Sequence, residues 1–164
     1  MMMLFRNARA NEANALTQLT LASKRYWGYP EEWISIWTDE LTISSEYIEK
    51  NWVVVAEEKA EVLGYASVFE YDTTHIVKAG EQMISGGFFL DYLFIHPSHI
   101  KKGIGEKLVT IACDWCKERQ IKQLHVYSDP YSKGFYEKTG AVYIGEVASS
   151  SISGRTLPFL TYYF

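Results

Sequence analysis

Two glycines separated by one residue, Gly103 and Gly105, follow Lys101 and Lys102 at the point where an apolar-periodic segment begins. A turn of this composition before a helix leaves several backbone N–H groups without intrahelical partners, at the positive end of the helix dipole. Glycines supply the dihedral freedom that such a turn needs and let an anion approach without a Cβ in the way. The pattern therefore predicts an anion site, although an ordinary helix start has the same local sequence.

The better-known phosphate loops differ from this turn. A Walker A loop has four residues between its glycines and ends in Gly-Lys-Ser/Thr, whereas one residue separates Gly103 from Gly105. A dinucleotide-binding turn has a third glycine where this chain has Leu108, and an acid about 20 residues further on. A nucleotide-binding enzyme is therefore the less favoured interpretation.

A single acid, Asp91, interrupts the apolar run FFLDYLFI of residues 88–95. A lone carboxylate in a buried strand costs desolvation unless it is paired or faces a cleft, so Asp91 is a candidate general base. A structural hydrogen bond to a neighbouring loop is the alternative. Glu70 and Asp72, near the end of the preceding strand, are alternative bases, as is a relay through water.

The cysteines and histidines do not have the spacing of metal ligands. Cys113 and Cys116 are three residues apart in a helical pattern without a second pair, so we interpret them as packing residues. The four histidines are scattered along the chain, and His96, where a strand ends, is expected to position a turn. We expect no metal.

The elements that must position these residues follow from hydrophobic periodicity. Strands are predicted at residues 2–6, 52–57, 62–72, 88–95, 122–127, 142–147 and 156–163. Helices are predicted at residues 11–26, from Pro30 across Trp33, Ile34 and Trp37, from the cap Ser44 to Lys50, and at 103–120 and 130–139.

The order of these elements predicts the fold class. The helix at 103–120 joins two strands as a crossover, so 122–127 is expected to run parallel to 88–95. Residues 72–87 are polar and irregular, and no element is predicted there. The order (strand, helices, three strands, helix, strand, helix, two strands) predicts a single α/β domain over residues 1–164.

Bulk composition excludes several function classes. The 164 residues are 48% hydrophobic, which suits one domain with a sizeable core, and the formal net charge is -4. Nucleic-acid and membrane-surface partners favour basic faces, so neither is expected. No apolar run approaches the ~20 residues of a transmembrane helix, and the N-terminus lacks a signal-peptide pattern. We expect a cytoplasmic protein; assembly into a homodimer is left open.

Two segments carry a resemblance to a known superfamily. The run LDYLFIHPSHIKKGIGEKL resembles the acyl-CoA-binding segment of the GNAT N-acetyltransferases, in which a strand and a Pro-containing turn lead to Arg/Gln-x-x-Gly-x-Gly/Ala and a helix. The run SDPYSKGFYEKTGAVYIGE resembles their downstream segment, whose core is Phe-Tyr-x-Lys-x-Gly-Phe. Order and spacing also match, so the resemblance covers at least residues 52–147. It implies a mixed, mostly antiparallel sheet of about seven strands, with splayed middle strands and flanking helices.

The resemblance also implies an activity and a cosubstrate: transfer of an acetyl group from acetyl-CoA to an amine of a small molecule or peptide. The backbone of Leu93, Phe94 and Ile95 would pair with the pantetheine arm. The pyrophosphate would lie on Lys101, Lys102, Gly103, Ile104 and Gly105. The superfamily's Arg/Gln position is Ile100 here, which forms no side-chain hydrogen bond, so Lys101 or Lys102 would supply the charge.

Further roles follow from the downstream segment. Tyr136 matches the superfamily's tyrosine, whose hydroxyl lies near the sulfur, so it is the implied proton donor and a cofactor contact; a core tyrosine is the alternative. A phenol with a pKa near ~10 is protonated at neutral pH. Ser128 follows a strand where relatives carry an Asn that contacts the cofactor arm. Alternatively, Asp129 and Pro130 simply start a helix.

The acceptor side is expected to contain Tyr26, Trp27, Tyr29 and Glu70, because aromatic rings and carboxylates suit a cationic amine. Buried tryptophans on an amphipathic helix are the alternative for this region. A non-catalytic acyl-CoA sensor or interaction module of the same fold is the alternative function.

Overall fold

The computed structural model describes residues 2–164, which form seven strands and five α-helices. The strands are β1 Leu4–Asn7, β2 Trp52–Glu58, β3 Glu61–Ala79, β4 Gln82–Ile95, β5 Gln123–Tyr127, β6 Val142–Ala148 and β7 Thr156–Tyr163. The helices are α1 Ala13–Tyr26, α2 Glu31–Leu41, α3 Ser45–Lys50, α4 Ile104–Glu118 and α5 Lys133–Lys138.

The seven strands form one sheet in the order β1-β2-β3-β4-β5-β7-β6. The pairs β1–β2, β5–β7 and β6–β7 are antiparallel, and β5 runs parallel to β4. The parallel register joins Phe88 to Leu124 and Phe89 to His125. The predicted mixed α/β architecture and the crossover through α4 are confirmed.

Strands β3 and β4 are longer than predicted, because residues 72–87 are not irregular. They continue β3 to Ala79, turn at Gly80, and begin β4 at Gln82. Val77 and Ala79 are buried and alternate with exposed neighbours, a strand pattern that the surrounding polar residues obscure. Gly86 has φ 63°, and a Cβ there would lie 2.5 Å from the Asp72 carbonyl oxygen. Only glycine fits this point of the hairpin.

Three capping residues lie at the helix boundaries, and those at Ser44 and Asp129 confirm predictions from the sequence. The Ser44 side chain accepts a hydrogen bond of 3.0 Å from the Tyr47 N–H at the start of α3. Asp129 accepts one of 3.0 Å from the Tyr131 N–H, with Pro130 opening a short 3₁₀ turn. Gly140 follows α5 with φ 109°, a conformation that glycine adopts without strain.

The described residues divide into two compact units, of which the first contains residues 2–67 and 92–108. Its core consists of Leu16, Leu19, Ile43, Ile48, Val53, Val55 and Tyr65. At Gly64 on β3, a Cβ would lie 2.7 Å from the Ile95 side chain and 3.0 Å from the Phe94 carbonyl oxygen. Glycine therefore allows the close approach of β3 to the end of β4.

The second unit contains Val68–Asp91 and Val109–Phe164. Its core consists of Val77, Ala79, Phe89, Val147 and Phe159. The turn between β3 and β4 packs on β6, where a Cβ at Gly145 would clash with the Gly80 backbone. None of the helices within residues 2–164 is long and apolar enough to cross a membrane.

Candidate active site

The turn after β4 is held by backbone hydrogen bonds around His96. The His96 N–H donates to the Leu63 carbonyl at 2.8 Å, and its ring Nδ1 accepts from the Ser98 N–H at 3.1 Å. A 3₁₀ turn, Pro97–His99, follows. His96 therefore positions the turn, as its place in the sequence predicts.

The glycine turn, residues 100–105, leads directly into α4. Lys101 and Gly103 have positive φ angles, 63° and 80°. A Cβ at Gly103 would meet no atom within 4 Å, so the space over this residue is open. Helical hydrogen bonding starts where the Lys107 N–H donates to the Gly103 carbonyl at 3.1 Å. Ile104 and Gly105 precede that bond in the first turn of α4, where backbone N–H groups point out of the helix end and favour an anion.

The side chains around the glycine turn differ in exposure. Lys101 and Lys102 are exposed, and Lys102 Nζ lies 3.2 Å from His99 Nδ1. The Ile104 side chain is 2% exposed and packs inward, so it presents only its backbone. Ile100 is half-buried, as are Leu93, Phe94 and Ile95 at the end of β4.

Asp91 belongs to a cluster of polar and aromatic side chains in the second unit. Its Oδ1 lies 3.4 Å from the Tyr71 hydroxyl, which donates to it. The Tyr71 ring stacks on His75, with centroids 4.1 Å apart and planes at 20°. A hydrogen bond of 2.9 Å joins His75 Nε2 to the Tyr127 hydroxyl. We call these four residues the Asp91 cluster.

The Asp91 cluster is framed by rings that fix its geometry. Phe89 stacks on Tyr127 at 5.3 Å and 19°, and meets Tyr71 edge-on at 5.0 Å and 82°. Burial, together with the charge of Asp91, raises the pKa of Tyr127 to about 12. Tyr127 is therefore a protonated phenol at neutral pH. The cluster combines a carboxylate that can accept a proton with a hydroxyl that donates to it, and an imidazole–phenol pair stacks beside them.

His125 borders this cluster but differs from His75. It is buried against Phe159, and a hydrogen bond of 2.8 Å joins its Nδ1 to Thr161 Oγ1. Burial lowers the pKa of His125 to about 4, so this imidazole is neutral at physiological pH. Its role is to pack and to support neighbouring rings.

Tyr71, His75 and Tyr127 are the site residues that the sequence analysis missed. Tyr71 and His75 belong to the part of β3 that adjoins or lies within the unassigned stretch, and Tyr127 ends β5. A longer β3 would have placed His75 on the face of Tyr71, because positions 71, 73 and 75 of a strand share a face. No such pattern in β3 points to Tyr127 on β5.

The two alternative bases are in different surroundings from Asp91. The Asp72 carboxylate accepts hydrogen bonds from the Thr74 hydroxyl and the Thr74 N–H, and both lower its pKa. It is exposed and serves a local turn. Glu70 is also exposed. Of these three carboxylates, Asp91 is the half-buried one, and its role as base stays a prediction.

The two residues of the downstream segment are both buried. Tyr136 on α5 is 7% exposed, and burial raises its pKa, with the charges of Tyr162 and Asp129 adding to the effect. Ser128 is 1% exposed and its hydroxyl donates to the Asp129 carbonyl at 2.6 Å. Both residues stay predictions as cofactor contacts. The Ser128 hydroxyl already donates to the Asp129 carbonyl, so it would have to share or exchange that hydrogen bond to contact a cofactor.

Comparison with known proteins identifies the family. Residues 15–141 match the model of the acetyltransferase (GNAT) family. The chain belongs to the GNAT acetyltransferases. This confirms the superfamily resemblance found in the two sequence segments and the expectation of an acetyltransferase.

Individual relatives of this GNAT acetyltransferase support the assignment. The peptidyl-lysine N-acetyltransferase YiaC of Escherichia coli is 26% identical over 145 residues, covering 84% of this chain and 82% of that protein. The PaiA N-acetyltransferase of Thermoplasma acidophilum, solved with coenzyme A, has a TM-score of 0.73 at 18% identity and covers all of both chains. A GNAT acetyltransferase of Brucella melitensis, solved with acetyl-CoA, has a TM-score of 0.64 at 21% identity, covering 99% and 88%. These structures share the fold.

The aromatic residues predicted for the acceptor side differ in exposure in this GNAT acetyltransferase. Tyr26 and Trp27, at the end of α1, are 52% and 42% exposed and meet edge-on at 5.2 Å. Tyr29 is half-buried, stacked on Trp33 at 6.0 Å and edge-on to Trp37 at 5.0 Å. Tyr29 therefore packs in a cluster of aromatic rings, whereas Tyr26 and Trp27 lie on the surface.

The cysteines of this GNAT acetyltransferase are unsuited to covalent catalysis. Burial raises the pKa of Cys113 to about 11 and that of Cys116 to about 12, so both thiols stay protonated. Both are free. Within residues 2–164, no group of His, Cys, Asp and Glu side chains is arranged to hold a metal ion.

Proposed function

We propose that this GNAT acetyltransferase transfers the acetyl group of acetyl-CoA directly to a primary amine of a small molecule or peptide. The observation that carries the proposal is the half-buried Asp91 carboxylate, which accepts a hydrogen bond from the Tyr71 hydroxyl. An amine attacks only after it has lost a proton, and Asp91 is a base that can accept it.

The glycine turn fits the donor. Its space over Gly103 is open, its first N–H groups precede the helical bonds, and two exposed lysines adjoin it. Acetyl-CoA supplies an acetyl thioester, which an amine can attack. Residues 101–105 would hold the pyrophosphate, and the backbone of Leu93, Phe94 and Ile95 would bind the pantetheine arm. The solved relatives with coenzyme A or acetyl-CoA support the same donor here.

Asp91 and Tyr136 carry the proton transfers, and three further side chains support Asp91. Asp91 accepts a proton from the ammonium of the acceptor, and Tyr71 stabilises the carboxylate by donating to it. His75, joined by its hydrogen bond to Tyr127, stacks on the Tyr71 ring and holds that ring beside Asp91. Tyr136 stays protonated at neutral pH because burial raises its pKa, so it can donate to the departing thiolate.

Direct transfer is favoured over a covalent enzyme intermediate. Both cysteine thiols are protonated in their buried sites, and a thiol attacks as its thiolate. For the acceptor, the relative named as a peptidyl-lysine acetyltransferase supports a lysine side chain, and a small amine has the same reacting group. A single domain over residues 1–164 and a cytoplasmic location stay predictions.

Thiol release from acetyl-CoA, measured with a panel of small primary amines and lysine peptides, tests the proposal. We expect release that depends on the amine, with the acetylated amine found by mass spectrometry. A protein that binds acetyl-CoA tightly and acetylates no member of the panel would instead be the non-catalytic acyl-CoA-binding module.

A further inference from the structure

The first unit contains an ammonium group surrounded by three aromatic rings. Lys24 Nζ lies 4.9 Å from the ring centroid of Trp37, 5.5 Å from that of Tyr29 and 5.9 Å from that of Phe94. We call these three rings the aromatic cage. By contrast, Lys117 and Lys133 each lie over one ring, Phe164 and Tyr143. Convergence of three rings on one cation is the arrangement by which proteins recognise ammonium ligands.

The rings of the aromatic cage are held in place by contacts other than those with Lys24. Trp37 is 4% exposed and meets Trp33 edge-on at 5.8 Å. Tyr29 stacks on Trp33 and meets Trp37 edge-on. Phe94 lies 6.1 Å from Tyr65 and 6.2 Å from Tyr92. The cage is therefore pre-organised, which lowers the cost of binding a cation.

Lys24 is the member of this arrangement that has a long flexible stem. It lies in the last turn of α1, two residues before the helix ends at Tyr26. A lysine ammonium is a compact charge on a flexible four-carbon stem, so it can leave the rings and return to water. The side chain is half-buried, so this movement opens space between the rings.

The cage lies at the strand segment to which the donor is assigned. Phe94 contributes its ring to the cage, and its backbone belongs to residues 93–95, the proposed binding segment for the pantetheine arm. A cation held by these rings therefore lies beside the donor's arm. Because ring faces attract the charged form, a caged ammonium is held as a cation and does not itself attack.

We infer that the aromatic cage binds a second, non-reacting alkylammonium group of the acceptor, and that Lys24 occupies the cage in the free protein. The acceptor class is then an amine with a further cationic group nearby, whether a diamine or a peptide with neighbouring lysines. The link to the acceptor rests on the proposed amine acetylation, whereas ammonium binding by the cage does not.

Ammonium binding is tested without the donor. Wild type, Lys24→Ala and Lys117→Ala are titrated with n-butylammonium and with 1-butanol, and tryptophan fluorescence is followed. Lys117 is the matched control, because it too lies near the end of a helix over a single ring. We expect Lys24→Ala to bind n-butylammonium about tenfold more tightly than wild type or Lys117→Ala, in accord with the removal of a competing cation. Saturation by 1-butanol at the same concentration, or no ammonium binding by Lys24→Ala, overturns the inference.

A second variant tests whether the rings are responsible for ammonium binding. Adding Tyr29→Leu to Lys24→Ala removes one half-buried ring, and we expect the gain in n-butylammonium affinity to be lost. If the double variant binds as tightly as Lys24→Ala, the cage is not the site. A lowered melting temperature of Lys24→Ala without ammonium binding would likewise show that Lys24 only packs α1 against the rings.

Turnover then distinguishes the acceptor role and its source. KM is measured with acetyl-CoA for 1,4-diaminobutane against n-butylamine, and for a peptide with two adjacent lysines against one with a single lysine. We expect Lys24→Ala to lower KM about tenfold for the doubly cationic member of at least one pair, and the pair affected identifies the source. Unchanged KM ratios in both pairs overturn the acceptor role. Absence of turnover with every amine would contradict the proposed function, and the fluorescence titration would still decide the cage.

Discussion

The glycine turn and the Asp91 cluster are built in opposite ways. The turn uses the backbone of consecutive residues, is exposed, and leaves open space over Gly103. The cluster uses side chains from β3, β4 and β5 that lie up to 56 positions apart in the chain and are fixed by ring contacts. A site made of backbone groups tolerates a different side chain nearby, such as Ile100 in place of the family's Arg or Gln. It does not tolerate a side chain that fills the space over its N–H groups. A side-chain site depends on each member.

Asp91→Asn is expected to have the largest effect on the cluster. The amide keeps the shape but cannot accept a proton, so kcat should fall by about 10³-fold, within the range of general base catalysis. Steady-state kinetics with the best acceptor measure this. Asp72→Asn is the matched control and should keep kcat within about twofold, because Asp72 serves a local turn. An equal loss in Asp72→Asn would move the base to β3.

The cluster region should also be sensitive to acid. The folded protein keeps His125 neutral down to pH about 4, whereas the unfolded chain takes up a proton below its ordinary pKa of 6.5. The contribution of His125 to the free energy of unfolding is therefore complete above pH 6.5. It falls by about 3 kcal/mol as the pH decreases toward 4.

Urea unfolding of wild type and His125→Asn between pH 7 and pH 4 measures this effect. The asparagine can still hydrogen-bond Thr161, and it carries no titrating group. We expect the stability of wild type to decline more steeply with falling pH. Parallel declines in the two proteins would show that other groups govern the acid response.

Tyr136→Phe tests whether a buried phenol acts in the chemistry. If Tyr136 donates a proton to the departing thiolate, kcat should fall by about 100-fold with little change in the Kd of acetyl-CoA. Single-turnover rates and calorimetric binding provide the two values. An unaffected rate would leave Tyr136 as a core residue of α5.

Gly103→Asp tests the backbone site. Side-chain bulk and negative charge over the open N–H groups should raise the Kd of acetyl-CoA about 30-fold, a loss of roughly 2 kcal/mol. Gly154→Asp is a matched control, because Gly154 also has φ 80° and open space around a Cβ. Both variants carry the same backbone strain, so equal losses of affinity would refute the anion site.

Tyr127→Phe should have the smallest effect of the five. It removes the hydrogen bond to His75 and leaves Phe89 stacked on a ring of the same shape. We expect kcat to fall about tenfold, because His75 loses the partner that fixes it against the Tyr71 ring. Tyr163→Phe, an exposed tyrosine on β7, should behave as wild type. An unchanged kcat in Tyr127→Phe would show that this hydrogen bond does not help to position Tyr71.

The same difference explains what the sequence could predict. Gly103, Ser44 and Asp129 act on backbone groups a few residues away, so their roles could be read locally and the structure confirms the turn and both caps. The positions of the strands along the chain followed from apolar runs. The partners of Asp91 and the rings around Lys24 depend on tertiary packing, and polar residues concealed the far half of β3. Local sequence patterns do not show which distant residues come into contact.

The open backbone of the glycine turn has one more consequence. It would contact the phosphates, which are the part shared by every acyl-CoA thioester, so it offers no means of telling an acetyl group from a longer chain. Selection among donors must then depend on side chains elsewhere. An engineer could alter donor choice or acceptor choice by substitution while leaving Lys101 to Gly105 untouched.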